Sequence, residues 1–337
     1  MCAVSNERFQ NALQRRAQAT PPVWMMRQAG RYHSHYQNLR SRHTFVELCK
    51  VPELAAETAM GPIRDFDFDV AILFSDLLFP LEALGMGLTY EPAPTLSWQL
   101  TSAGIKKLRP WHEAIHHLEF QKKALQATRA QLPNDKSLIG FVGGPWTLFT
   151  YAVEGAHKGH LTAAKTQPQL FAEFIEVVLP LLRENIRLQI EGGAEVVMIF
   201  DTAAGEIAAN DFGANAQAIR SLAEAFPNRV GYYSKGTVQA HYDQIYGPFA
   251  GFGFDHRWSM AAQLRASRHG FVQGNFDQVL LFAEDVEMRI QQYLKPLAEL
   301  SPDDRRGFVC GLGHGVLPQT PETSVRRFVE LVRKELV

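Results

Sequence analysis

The sequence predicts an α/β fold, a single (β/α)8 TIM-type barrel, on three observations. Short apolar runs alternate with longer amphipathic ones along all 337 residues, the pattern of parallel strands joined by helical crossovers. No glycine-rich phosphate turn follows the first run, where an open doubly wound sheet carries one. No long Gly/Ser- or Pro-rich linker interrupts the chain. Residues 1–337 therefore read as one barrel domain with a short N-terminal helical extension.

Eight strand-like runs occur in order: Val23–Met26, Val70–Phe74, Leu138–Val142, Glu195–Phe200, Val230–Tyr233, Gly251–Phe254, Gly270–Val272 and Gly307–Cys310. Between most of them lie segments with apolar residues three and four apart, such as Phe171–Gln189 and Val279–Leu294, the spacing of an amphipathic helix. In a barrel, function collects in the loops after the carboxyl ends of the strands. The first run leads into Arg27-Gln28-Ala29-Gly30-Arg31, with Arg40 further on, and the second into Ser75-Asp76. The third leads through Gly143-Gly144-Pro145-Trp146-Thr147 to Tyr151, and the fourth ends Phe200-Asp201-Thr202. The seventh leads into Gln273-Gly274-Asn275, and the eighth into Gly311-Leu312-Gly313-His314-Gly315.

Lys plus Arg number 34 against 35 Asp plus Glu, a formal charge of -1. This balance argues against broad nucleic-acid or anionic-membrane binding, which needs a basic footprint. Three cysteines (Cys2, Cys49, Cys310) stand far apart without CxxC spacing, so neither a disulfide framework nor a cysteine-built zinc site is expected. The N-terminus has no apolar core of a secretory signal, and no stretch approaches the roughly 20 apolar residues of a membrane span. A soluble, cytoplasmic protein is the expectation.

A single arginine near a strand end is usually a surface charge. Arg27, Arg31 and Arg40 together, without acids beside them in sequence, suit a substrate bearing several carboxylates, because guanidinium pairs with carboxylate through two parallel hydrogen bonds. Asp76 ends an apolar run, so its carboxylate belongs at the barrel mouth. It could instead cap the next helix, a task for which Ser75 serves equally well. The glycines around His314 permit tight turns and close approach of a ligand to the backbone. Tyr151 alone reads as a core tyrosine. His112-Glu113-Ala114-Ile115-His116 is formally a zinc protease signature, but the apolar stripe through Ile115, Leu118, Leu125 and Leu132 leaves both histidines towards solvent, so no metal is assigned.

The segment Pro22-Val-Trp-Met-Met-Arg-Gln-Ala-Gly-Arg-Tyr32 resembles the N-terminal signature of the uroporphyrinogen decarboxylase family. The similarity continues through Glu47–Lys50, Pro52–Ala56, Ile72–Asp76, Gly140–Thr147, Gln273–Asn275 and Leu312–Gly315. It implies a (β/α)8 homodimer that needs no metal or organic cofactor and converts uroporphyrinogen to coproporphyrinogen by removing four acetate carboxyls. It further implies that Arg27, Arg31 and Arg40 bind carboxylates and that Asp76 binds the pyrroles. Tyr151, Thr202 and His314 match the family's pocket tyrosine, hydroxyl residue and histidine, and Gln28, Ala29, Ile72, Phe141 and Phe200 match pocket-lining positions. The sequence departs from the family in three places. Tyr-Leu-Pro-Glu-Tyr becomes Tyr32-His33-Ser34-His35-Tyr36, Phe-Asn-Leu-Gly-His becomes Cys310–His314, and Asn-Leu-Asp-Pro becomes Asn275–Gln278. The departures admit a non-catalytic porphyrinogen-binding paralogue. Zinc-dependent methyltransferases of the same superfamily form a second alternative, but they need a His-x-Cys pair and a distant Cys. Tyr232-Tyr233-Ser234-Lys235-Gly236, after the fifth run, supplies no such pair.

Overall fold

The computed structural model describes residues 5–90, 93–157 and 159–337. Among the described residues the strands are β1 (Val70–Ile72), β2 (Leu88–Thr89), β3 (Thr95–Leu96), β4 (Ser137–Gly143), β5 (Val196–Asp201), β6 (Val230–Ser234), β7 (Gly251–Gly253), β8 (Phe271–Phe276) and β9 (Phe308–Leu312). β2 and β3 pair antiparallel, apart from the parallel strands. The chain forms two compact units. One comprises the chain up to Phe74 with Ala127–Ile139 and Ala250–Val337, and the other comprises Ser75–Gln126 and Gly140–Phe249.

In the first unit β1 pairs in parallel with the start of β4, and β7, β8 and β9 pair in parallel in turn. The expected first strand, Val23–Met26, is shorter than predicted: only Val23 forms a bridge, parallel to Cys310. The surrounding hydrogen bonds are nonetheless strand-like. Trp24 N–H donates to Cys310 O at 3.3 Å, Cys310 N–H to Pro22 O at 2.9 Å, and Asp69 N–H to Val23 O at 2.9 Å. Pro22 has no N–H to extend the ladder upstream, and downstream the chain turns at Arg27, whose φ is +61°. The N-terminal extension is a helix, Glu7–Leu13, capped by Asn6 accepting from Phe9 N–H. The predicted helix Val279–Leu294 begins later, at Val286. Residues Gln278–Phe282 form a 3₁₀ turn capped by Asp277, and Val279 is 53% exposed, so its side chain never joined the apolar stripe.

In the second unit β5 and β6 pair in parallel with Phe200 opposite Tyr233 and Asp201 opposite Ser234. Every residue of β4, β5 and β6 is buried, as expected of strands covered on both faces. Successive side chains point to opposite faces. On one face of this unit Phe141 and Phe200 lie 5.5 Å apart, and Tyr233 meets Phe200 edge-on at 6.1 Å. On the other, Gly140 lies against Gln189 of the long helix Pro168–Glu191.

Candidate functional site

In the first unit, Gln28 anchors the arginine-bearing segment. Its side chain is 1% exposed, accepting from Met25 N–H at 3.2 Å and donating to Val70 O at 3.0 Å, while its carbonyl accepts from Tyr32 OH at 2.7 Å. Gln28 thus uses its amide to brace the loop against β1. Ala29 beside it is half-buried, and Ile72, at the end of β1, is 9% exposed. Arg27 and Arg31 are exposed and Arg40 is half-buried. Arg40 donates to His43 O, and no carboxylate pairs with any of the three among the described residues. Guanidinium groups left in this state are available to a carboxylate ligand.

Tyr36, which sequence reasoning passed over, is 6% exposed with its ring 5.7 Å from Phe74. Burial raises its pKa above the ordinary phenol value, while Arg40 and Arg31 oppose that rise. Its signal in the sequence is its place one helical turn before Arg40, in the helix Ser34–Arg40.

His314 is half-buried, on a segment held at both sides. Gly313 N–H donates to Phe276 O at 2.7 Å and Val316 N–H to Met26 O at 2.9 Å. The flanking glycines serve close packing of the protein on itself, and neither Gly311 nor Gly315 adopts a positive φ. A Cβ on Gly311 would lie 2.3 Å from Trp24 O, and one on Gly315 would lie 2.5 Å from Arg27 Cδ. The arm of Arg27 therefore rests on the backbone beside His314.

In the second unit, Asp76 is half-buried and one carboxylate oxygen accepts from Leu78 N–H at 2.8 Å. This is a turn bond two residues along: the next helix, Phe79–Ala83, has Leu78 at its N-cap and no side-chain cap, so neither Asp76 nor Ser75 caps it. Ser75 Oγ instead accepts from Gln121 at 3.0 Å, Gln121 Oε1 accepts from Gln189 at 3.1 Å, and Gln189 also donates to Phe141 O at 2.9 Å. A buried amide relay thereby ties the segment carrying Asp76 to β4. The turn bond does not consume the carboxylate; it fixes the orientation of a group with four acceptor positions.

Tyr151 is half-buried in the helix Pro145–Glu154, and Thr202 is half-buried after β5. Phe141 and Phe200 are 8% and 4% exposed and share their face with Tyr233, whose partnership the sequence did not announce. Asp201, between Phe200 and Thr202, is fully buried against that helix. His112 and His116 of the protease-like motif are 64% and 71% exposed, and His116 bonds Glu119 at 2.9 Å. Among the described residues no group of three or more His, Cys, Asp or Glu side chains could hold a metal. Cys49 and Cys310 are buried, and burial raises the Cys310 thiol pKa far above its ordinary value. Cys2 lies outside the described residues.

A model of the family described as Uroporphyrinogen decarboxylase (URO-D) matches residues 4–335. A uroporphyrinogen decarboxylase of Synechococcus sp. is 36% identical, with 93% of each chain covered. That of Geotalea uraniireducens is 34% identical, with 98% of each covered. Among solved structures, a methyltransferase from Methanosarcina mazei superposes with a TM-score of 0.75, covering 97% of each chain at 15% identity, a likeness of fold.

Proposed function

Since the chain belongs to the uroporphyrinogen decarboxylase family, a family of carboxy-lyases that remove the acetate carboxyls of uroporphyrinogen, we propose that the Asp76 carboxylate carries the reaction in this protein. Uroporphyrinogen is a flexible polyanion of four pyrroles whose N–H groups can converge on one acceptor. Asp76 accepts those N–H groups. A proton adds to the ring carbon next to the one bearing the acetate arm, the bond between the arm's methylene and its carboxylate carbon breaks, and the electron pair forms an exocyclic double bond to the cationic ring as CO2 leaves. Protonation of the exocyclic carbon then gives a methyl group, and loss of the ring proton restores the pyrrole. Four rounds yield coproporphyrinogen. The ring is its own electron sink, so the chemistry calls for neither a metal nor an organic cofactor.

The negative charge of Asp76 stabilises the ring cation. At about 4 Å and an effective dielectric near 20, two unit charges attract by about 4 kcal/mol, equivalent to a rate factor of about a thousand. Arg27, Arg31 and Arg40 hold acetate and propionate carboxylates. Gln28, Ala29, Ile72, Phe141 and Phe200 shape the surroundings, and Tyr151, Thr202 and His314 position the substrate arms. The guanidinium groups orient the substrate through paired hydrogen bonds to its carboxylates. The protein works in the cytoplasm as a homodimer of single-domain barrels.

The observation that supports this reading best is the Asp76 carboxylate, fixed by Leu78 N–H yet half-exposed. Replacing Asp76 tests it. Asp76→Ala lowers turnover of uroporphyrinogen by about a thousandfold or more, and Asp76→Glu retains part of it. Wild-type turnover in the alanine variant refutes the electrostatic role.

A further inference from the structure

The buried cluster around Asp201 lies behind two of the proposed substrate-positioning side chains. Thr147 donates to Asp201 Oδ1 from its backbone N–H at 3.0 Å and from its hydroxyl at 2.6 Å. The same hydroxyl accepts from Ala203 N–H at 3.0 Å. Asn215 donates to Asp201 Oδ2 at 2.7 Å, and Tyr232 OH donates to it at 3.4 Å. Asn215 Oδ1 in turn accepts from Trp146 N–H at 3.2 Å. Thr147, Asp201, Asn215 and Tyr232 are all fully buried.

Every group that reaches the carboxylate is a donor, so the acceptor-only ionised form fits the site. Burial nonetheless pushes the pKa of Asp201 up, against the pull of Thr147 and Asn215. A buried anion without a cationic partner is costly to fold around, and among the described residues no cation bonds this carboxylate, although its charge reaches the His157 imidazole. Space is also reserved for it: a Cβ on Gly144 would lie 2.4 Å from Asp201 Cγ.

We propose that Thr147 is a positioning residue that fixes the Thr202 hydroxyl relative to Tyr151, acting through Asp201 and the backbone of Ala203. The proposal rests on the decarboxylase reading above. Thr202 is the one residue between two anchored neighbours, Asp201 by its side chain and Ala203 by its N–H, and both anchors converge on the Thr147 hydroxyl. Tyr151 is four residues beyond Thr147 in the same helix, hence one turn along the same face. One hydroxyl therefore sets the register between the end of β5 and the helix that carries the tyrosine. Asp201 itself points to the side of β5 where Thr147, Asn215 and Tyr232 cluster, and its partners leave it no contact with substrate to make.

Steady-state kinetics of Thr147→Val and Thr147→Ser with uroporphyrinogen test this. Valine keeps the volume and removes the hydroxyl, and serine keeps the hydroxyl. The arginines that grip the substrate are untouched, so Thr147→Val lowers kcat about tenfold or more with KM changed less than about threefold, whereas Thr147→Ser stays within about threefold of wild type. Thr147→Val combined with Thr202→Val costs clearly less than the product of the single losses, because both remove the same arrangement. Unchanged kcat per folded molecule in Thr147→Val, or multiplicative losses in the double variant, overturns the proposal. Should Thr147→Val fail to fold, Tyr232→Phe removes the longest bond to the same carboxylate. A fall of severalfold in its kcat supports the proposal and an unchanged kcat overturns it. Absence of turnover in the wild type removes the decarboxylase reading, and the proposal with it, whatever the variants do.

Discussion

Gly315 governs how the Arg27 guanidinium is presented. The Arg27 arm lies where a Cβ on Gly315 would be, 2.5 Å from Cδ and 2.9 Å from Cγ, and a flexible side chain can yield where backbone cannot. Gly315→Ala therefore folds with stability within about 1 kcal/mol of wild type. It displaces the arginine by enough to lower kcat/KM about tenfold, which thermal melts and initial rates on uroporphyrinogen measure together. Gly311→Ala is the opposite case. Its Cβ would meet the carbonyl of Trp24 at 2.3 Å, so it lowers the melting temperature before it affects any ligand. The sequence showed both glycines as one flexible motif, because only the three-dimensional neighbours distinguish a side-chain contact from a backbone one. Asp76 stands out in the sequence because it ends an apolar run, but Asp201 ends one too and serves the fold, so position alone does not assign a task. The task of Asp201 was not legible, since each of its hydrogen-bonding side-chain partners, Thr147, Asn215 and Tyr232, is at least 14 residues away in the chain.

The departure at Tyr32–Tyr36 is built into the fold of the first unit. His33 is fully buried and its Nε2 lies 2.7 Å from Asp65, a carboxylate 43% exposed in the helix Pro52–Phe66. Its ring packs against Phe66, Tyr32 and His35 at 5.0, 5.8 and 5.8 Å, and its Nδ1 is buried without a partner. A proton on Nδ1 would be stranded, which agrees with the direction of its pKa. Burial lowers it from 6.5, while Asp65 and Glu322 resist that fall and His35 adds to it. With an unfolded value of about 6.5, the unfolded chain takes up a proton that the folded chain refuses as pH falls below that point. His33 therefore costs no stability above about pH 6.5, and stability declines as pH drops towards the depressed folded pKa. His33→Leu, the family's usual side chain at this position, flattens that decline in melting temperature between pH 7 and 5. It leaves behind only the partly exposed Asp65. His35 fits because Gly61 has no side chain; a Cβ there would lie 2.3 Å from His35 Cδ2. Gly61→Ala destabilises by about 1–3 kcal/mol, readable from denaturant midpoints. Strand periodicity carried over to the structure where both faces are buried, as in β4–β6. It overran in the first strand, where Pro22 and the turn at Arg27 end a ladder whose apolar run continues, and in Val279–Leu294, where Asp277 starts a separate turn.

For the whole molecule, the alternation of strands and helices was visible because it spans nearly every residue, whereas the division into two compact units depends on which distant segments meet. The fold alone does not choose a chemistry: the Methanosarcina mazei methyltransferase shares it at 15% identity, and function lies in the side chains at the strand ends. The substrate ring supplies the electron sink in the chemistry proposed, so exhaustive dialysis against a chelator leaves turnover unchanged. Loss of turnover on chelation, with recovery on adding zinc, would support the methyltransferase-like alternative. The most direct test is anaerobic incubation of the purified protein with uroporphyrinogen, followed by oxidation and chromatographic separation of the porphyrins by carboxylate number. The account predicts progressive conversion of the eight-carboxylate species to the four-carboxylate coproporphyrin by the wild type and almost none by Asp76→Ala. Tight retention of unchanged uroporphyrinogen by a folded wild-type protein, without any loss of carboxylates, would contradict it.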